Sequence, residues 1–96
     1  MFEVKLKLNE EGEGAFMLLD GDQPAGEMLF SMRGTNLRVF HTEIDPEYEG
    51  QGLAKKLLDA MAAYARQHGL KVTPLCKYVH AQFQRHPDQF ADIWNR

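Results

Sequence analysis

"DPEYEGQGLAKKLLDAM", residues Asp45 to Met61, decides how this chain is read. A proline and several acidic and polar residues lead through Gly50 and Gly52 straight into strongly helical sequence. Glycine is the poorest helix former after proline, so two of them at the mouth of the best helix need a reason. One reason is a plain turn between strand and helix. The other is an anion resting on bare backbone amides. Unpaired N–H groups and the positive end of the helix dipole meet at a helix start, and glycine lets a phosphate approach with no side chain in the way.

On the C-terminal side of the glycines, Ala54, Leu57, Leu58, Met61, Ala62 and Ala65 recur at helical spacing, with Lys55, Lys56, Asp59, Arg66 and Gln67 on the opposite side. Gly69 is the natural stop. Leu70 to Cys76 reads as a short strand, with Pro74 implying an edge or a locally unpaired segment. Tyr78 to Arg85 reads as a helix punctuated by Pro87. Phe90, Ile93 and Trp94 form the apolar stripe of a last short helix that closes the core.

On the N-terminal side the period is two. Phe2, Val4, Leu6 and Leu8 alternate with Glu3, Lys5, Lys7 and Asn9, which predicts a half-buried strand. Strands follow over Ala15–Asp20, Glu27–Met32 and Leu37–Ile44, separated by turns at Glu10–Gly14, Gly21–Pro24 and Arg33–Asn36. The fourth strand, the long helix and Leu70–Cys76 make a βαβ unit with parallel strands. The fold class is α+β: an antiparallel meander followed by a βαβ unit, helices packed on the sheet.

Ninety-six residues, 44% hydrophobic and 26% charged, describe one ordinary globular domain over residues 1–96. A formal charge of −3 argues against nucleic acid, whose binders show a basic face. The longest apolar run, Ala15–Leu19, falls far short of the ~18 residues of a membrane helix. The N-terminus lacks the apolar core of a signal peptide. A single cysteine, Cys76, excludes an internal disulfide and points to the cytoplasm. No metal-ligand set is defensible: Cys76 and His80 are four apart, but zinc needs further ligands. The chain is expected to be monomeric.

Taken alone, Gly50-Gln51-Gly52 is a weak signal. It is not a Rossmann fingerprint, since the third glycine is absent, and not a Walker loop, since Leu53-Ala54 follow Gly52 where Lys-Ser/Thr belong. The longer stretch "EYEGQGLAKKLLDAM" resembles the central motif of the GNAT superfamily of N-acetyltransferases, Gln/Arg-x-x-Gly-x-Gly/Ala. Gly50 and Gly52 match it, and Leu53-Ala54 with Leu57 and Leu58 match the helix behind. Glu47 departs from the motif where the family has Gln or Arg. Asp45–Gly50 and the ending "LCKYVHAQFQRHPDQF" resemble the very small acetyltransferase-like subgroup, which lacks the helices usually found after the first strand.

The resemblance implies acetyl-CoA, its pyrophosphate on the amides of Glu49, Gly50, Gln51, Gly52, Leu53 and Ala54 and its pantetheine arm between splayed fourth and fifth strands. Lys55 is a candidate to neutralise phosphate; Lys56 reads as a solvated surface lysine. Acetyl transfer needs a neutral amine, a positioned thioester and a stabilised oxyanion. Strand alternation puts Leu37, Val39, His41 and Glu43 on one face, and a histidine there suits a general base. Cys76, ending the neighbouring strand and expected to face His41, is either a nucleophile or a pocket-lining group. The tyrosine that usually protonates the leaving thiolate falls on Gln84. Tyr78, one turn earlier, is a substitute or a packing residue.

The resulting expectation is an acetyl-CoA-dependent N-acetyltransferase acting on an unidentified small-molecule or protein amine. Two alternatives stay open: a CoA-binding module without catalysis, and a CoA-independent Cys–His thiol enzyme or sensor.

Overall fold

The alternating sequence of the first 44 residues builds four strands because one apolar face per strand finds a helical layer to bury it. The computed structural model describes residues 1–96. Strands β1 (Phe2–Leu8), β2 (Glu13–Asp20), β3 (Gln23–Arg33) and β4 (Asn36–Ile44) form an antiparallel meander. β5 (Lys71–Pro74) joins β4 in parallel, giving the sheet order β1-β2-β3-β4-β5. A 3-10 turn (Pro46–Tyr48) and α1 (Ala54–Gln67) connect β4 to β5, and α2 (Lys77–Arg85) and the short α3 (Pro87–Phe90) follow. This is the expected α+β architecture.

Several boundaries differ from the sequence reading. Asp20 pairs with Gln23 and Arg33 with Asn36, so only Gly21-Asp22 and Gly34-Thr35 remain as loops. β3 therefore starts at Gln23 rather than Glu27. Pro24 is tolerated beside the register shift between Leu18 and Leu19, a bulge being one of the few places a strand accepts proline. β5 ends at Pro74 rather than Cys76, because the N–H groups of Leu75 and Cys76 both turn to Val39 O, at 2.9 and 3.0 Å. Pairing between β4 and β5 runs only from Asn36–Lys71 to Val39–Pro74, after which the strands splay.

The large buried side chains of the sheet, Phe16, Leu18, Met28, Phe30, Leu37, Val39 and Val72, lie on one face and share one core with the helices. The apolar stripe of α1 buries Leu57, Leu58, Met61, Ala62 and Ala65 there. α2 contributes Val79 and Phe83. Phe83 stacks on Phe90 at 4.6 Å and meets Trp94 at 5.4 Å. α3 stops at Phe90, so Ile93 and Trp94 close the core from the turn beyond it, with Trp94 bridged to Val72. The opposite face of the sheet carries Lys5, Met17, Glu27, Leu29, His41 and Glu43 in cross-strand register and no helix. No helix is long and apolar enough to cross a membrane.

Two contacts predict measurable stability effects. Gly26 pairs with Ile44 where β4 ends, and a Cβ there would meet Glu43 O and Ile44 Cδ1, each at 2.7 Å. Gly26→Ala should cost ~1–3 kcal/mol through overpacking, seen as a lower urea midpoint; an unchanged midpoint would show that β3 and β4 separate freely. At the other end, Arg66 Nε holds Asp92 Oδ2 at 2.8 Å and Arg66 Nη2 donates to Gln89 O at 2.7 Å. The Arg66 hydrogen bond is the main reason the Asp92 carboxyl lies below its ordinary 3.8. Both side chains are well exposed, so the pair is worth no more than ~1 kcal/mol. A lowered carboxyl pKa contributes stability in full above the unfolded value and loses it as pH falls through the folded one. Asp92→Asn should therefore cost a few tenths of a kcal/mol at neutral pH, and the difference should vanish below the folded-state pKa. A gap that persists in acid would assign the loss to packing.

Candidate functional site

Gly50 and Gly52 take φ of +83° and +69°, which L side chains rarely adopt. A Cβ on either would meet no atom within 4 Å. These glycines serve backbone curvature and open approach rather than packing. The 3-10 turn ends with Glu49 N–H on Pro46 O at 3.3 Å, and the next internal donor is Lys55 N–H on Gly52 O, also 3.3 Å. Between them the five N–H groups of Gly50, Gln51, Gly52, Leu53 and Ala54 donate to no protein acceptor. No side chain caps α1 either. Adjacent unpaired donors at the positive end of a 14-residue helix make an anion-binding concavity. A cleft of about 240 Å³ opens over it, lined by Ile44, Tyr48, Glu49, Gly50, Gly52, Leu53 and Ala54. The donor set fits a pyrophosphate, and the Glu49 N–H, which the sequence reading included, is already used by Pro46 O.

The turn is anchored from a distance. Tyr48 Oη donates to Asp20 Oδ2 at 3.1 Å, and the Tyr48 ring meets the Phe2 ring edge-on at 5.8 Å. Burial first, then the Asp20 hydrogen bond, raises the Tyr48 hydroxyl above its ordinary 10.0, so it stays a neutral donor. These partners lie 28 residues apart; sequence periodicity carries no sign of the link.

Lys55 is less free than expected. Its Nζ contacts Asp59 Oδ2 at 2.9 Å, and that hydrogen bond is the main cause of its raised pKa. Tyr78 opens α2 near the same pair. Burial, then the charge of Asp59, raises its hydroxyl above 10.0, with Lys55 opposing. Lys55, Asp59 and Tyr78 thus lie close enough for the two charges to act on the Tyr78 hydroxyl.

The alternation expected for β4 fails at one residue. Leu29 pairs with His41 but Phe30 pairs with Val39, which leaves Phe40 as the extra residue of a bulge. The inward-facing set therefore changes from Leu37 and Val39 to Thr42 and Ile44, while His41 and Glu43 turn to the open face. His41 Nε2 stands 3.6 Å from Glu43 Oε1, both about half exposed. Cys76 is 6% exposed on the core side, and its Sγ donates to Thr42 Oγ1 at 3.3 Å. His41 and Cys76 consequently sit on opposite sides of β4, correcting the expectation that they face one another. A Cys–His thiol centre loses its geometry. Thr42, which alternation assigned to the wrong face, is the residue that the sequence reading missed. Gln84 is exposed on α2, and no cluster of three or more His, Cys, Asp or Glu side chains could hold a metal ion.

Known proteins share this fold. An NMR structure of a GCN5-like protein from Staphylococcus aureus superposes with a TM-score of 0.67 at 24% identity, over 95% of this chain and 87% of the other. The ribosomal-protein-S18-alanine N-acetyltransferase of Escherichia coli superposes with a TM-score of 0.63 at 21% identity, over 69% of this chain and 43% of the other. Human N-acetyltransferase 8B is 26% identical over 76 residues, so the chain spans about a third (34%) of that relative's length. Residues 15–93 match the GCN5-related N-acetyl-transferase family. With the meander, the splayed parallel pair and the glycine turn all in place, the chain belongs to the GCN5-related N-acetyltransferase family.

Proposed function

We propose that this protein is an acetyl-CoA-dependent N-acetyltransferase that modifies an amine presented to the open face of its sheet. The five unpaired amides of residues 50–54 carry the reading, because they supply donors for a pyrophosphate and have no structural partner. Acetyl-CoA, when bound, supplies the activated acetyl thioester. The residues of the chain do the rest. The turn amides hold the phosphates, and the space opened beyond Val39 and Pro74 receives the arm. His41 Nε2, exposed beside the bulge, accepts the proton that the amine gives up. The Glu43 carboxylate stands 3.6 Å from that nitrogen.

The acceptor side is broad rather than enclosed. Grooves of about 420 and 460 Å³ meet along Leu29 on the open face, and Leu29 is the cross-strand partner of His41. Turnover of acetyl-CoA against a panel of small amines and N-terminal peptides tests the proposal, with release of free CoA thiol as the readout. A second reading, a CoA-binding module without catalysis, is favoured by Gln84, exposed where the family has its tyrosine. CoA binding without turnover on every amine would select it.

A further inference from the structure

The two edges of the sheet are finished differently. Beyond β5 the chain covers its own edge: Val72 N–H binds Ile93 O, Asn95 N–H binds Val72 O at 2.8 Å, and Trp94 bridges to Val72. β1 lies at the other edge with no strand beyond it. At its two ends Asn9 N–H binds Glu13 O at 2.9 Å and Gly21 N–H binds Met1 O at 3.1 Å, in line with the β1–β2 register. Hydrogen-bonded pairs alternate in an antiparallel ladder, so the odd-numbered residues are the ones bonded to β2. The N–H and C=O groups of Phe2, Val4, Leu6 and Leu8 therefore point outward, a row of open donors and acceptors. The core-side cover runs out along the same strand. Phe2 and Val4 pack against the core, but Leu6 is 40% and Leu8 48% exposed.

We propose that the partner for this edge is a second copy of the chain, the two β1 strands pairing antiparallel about a two-fold axis through Val4, where the sequence reading expected a monomer. Charge selects that register. Reversed about Val4, Phe2-Glu3-Val4-Lys5-Leu6 sets Glu3 opposite the partner's Lys5 and Phe2 opposite the partner's Leu6. An axis through Glu3 or through Lys5 sets that residue against itself, and one through Leu6 sets Lys5 against Lys7. Like charges directly opposite destabilise a sheet, and opposite charges stabilise it. A slip by one residue would pair core-side with open-side positions. The parity also fits. The outward-pointing even residues form the hydrogen-bonded pairs, about six bonds in all, and Glu3 meets Lys5 across the closer, non-hydrogen-bonded pairs. Glu3 and Lys5 already stand 3.8 Å apart within one strand, both well exposed, so the two copies bring alternating charges together. On the core side Phe2 covers the partner's Leu6. Lysines on an edge oppose indiscriminate pairing, and this register is the one that gives Lys5 a carboxylate. The axis stands perpendicular to the sheet, so the helices of both copies share one side and their open faces become one surface.

Sedimentation velocity from micromolar to millimolar protein should show a reversible monomer–dimer equilibrium. It is read without CoA or amine, so its outcome is separate from that of acetyl transfer. Lys5→Glu sets two carboxylates opposite each other at both ends of the pairing and should weaken the dimer by ~10-fold or more. Glu3→Lys should do the same with two ammonium groups. The double variant Glu3→Lys/Lys5→Glu should recover the affinity, as should an equimolar mixture of the two single variants. Both sites are well exposed, so the fold should be unaffected. Val4→Pro removes the outward N–H on the axis, takes no hydrogen bond from the β1–β2 ladder, and should abolish the dimer. Amide exchange reads the register. The Val4 and Leu6 N–H groups should exchange more slowly as concentration rises, while Leu8, outside the paired stretch, stays fast. A wild type that remains monomeric at millimolar concentration would overturn the proposal. So would a dimer that Lys5→Glu and Val4→Pro both leave intact, or protection that reaches Leu8 and so selects the axis through Lys5.

Discussion

Gly52→Val should lose CoA affinity by ~10²-fold or more while retaining its sheet and helices. Gly52 sits at φ +69°, and holding a non-glycine residue in such a conformation costs ~1–3 kcal/mol. A β-branched residue is a true outlier there. The backbone should therefore relax away from the curvature that aligns the amides of residues 50–54, and each 1.4 kcal/mol lost is about tenfold in affinity. The valine side chain also enters the space left open beside the turn, where a Cβ now meets nothing within 4 Å. Calorimetric titration with CoA reads the loss, and far-UV dichroism with a thermal melt confirms the fold. A folded Gly52→Val protein with wild-type affinity would remove the glycine turn from the site.

His41→Ala should separate chemistry from binding. The imidazole lies on the open face, with a side-chain exposure of 53% and Glu43 as its charged neighbour, and it is not among the residues lining the glycine-turn cleft. CoA affinity should stay near wild type while turnover falls by ~10²-fold or more, the usual scale of a lost general base. The loss should be present across pH 6 to 8 and shrink at higher pH, where more of the amine is neutral without help. Full turnover in His41→Ala over that range would pass the base role to Glu43 or to water.

The parts of the fold governed by local pattern were legible in the sequence. Period-two alternation found the strands of the meander, the 3.6-residue stripe from Ala54 to Ala65 found α1, and Gly69 stopped it. The glycine turn was legible as well, because glycines at a helix mouth contradict propensity and so demand a cause. What escaped was set by tertiary contact. The bulge at Phe40 leaves no compositional mark, since Phe is an ordinary strand residue, yet one inserted residue exchanges His41 for Thr42 on the core face. The Cys–His pairing expected from alternation failed for that reason alone. The anchor from Tyr48 to Asp20 joins the turn to the end of β2 across 28 residues, and such a link has no sequence period. Lys55 reads as a phosphate ligand by proximity to the turn, but Asp59 one helical turn later holds its ammonium at 2.9 Å.

The proposed cofactor site consists of the backbone amides of the turn, and an amide-resolved NMR titration of the uniformly labelled protein with CoA observes them directly. Saturable shifts should centre on Gly50, Gln51, Gly52, Leu53 and Ala54, the donors without a partner, and extend along the splay to Phe40, Thr42 and Cys76. Desulfo-CoA should reproduce the turn shifts, because they belong to the phosphates. Saturable binding that leaves the amides of residues 50–54 unmoved, or no saturable binding at all, would contradict the central claim.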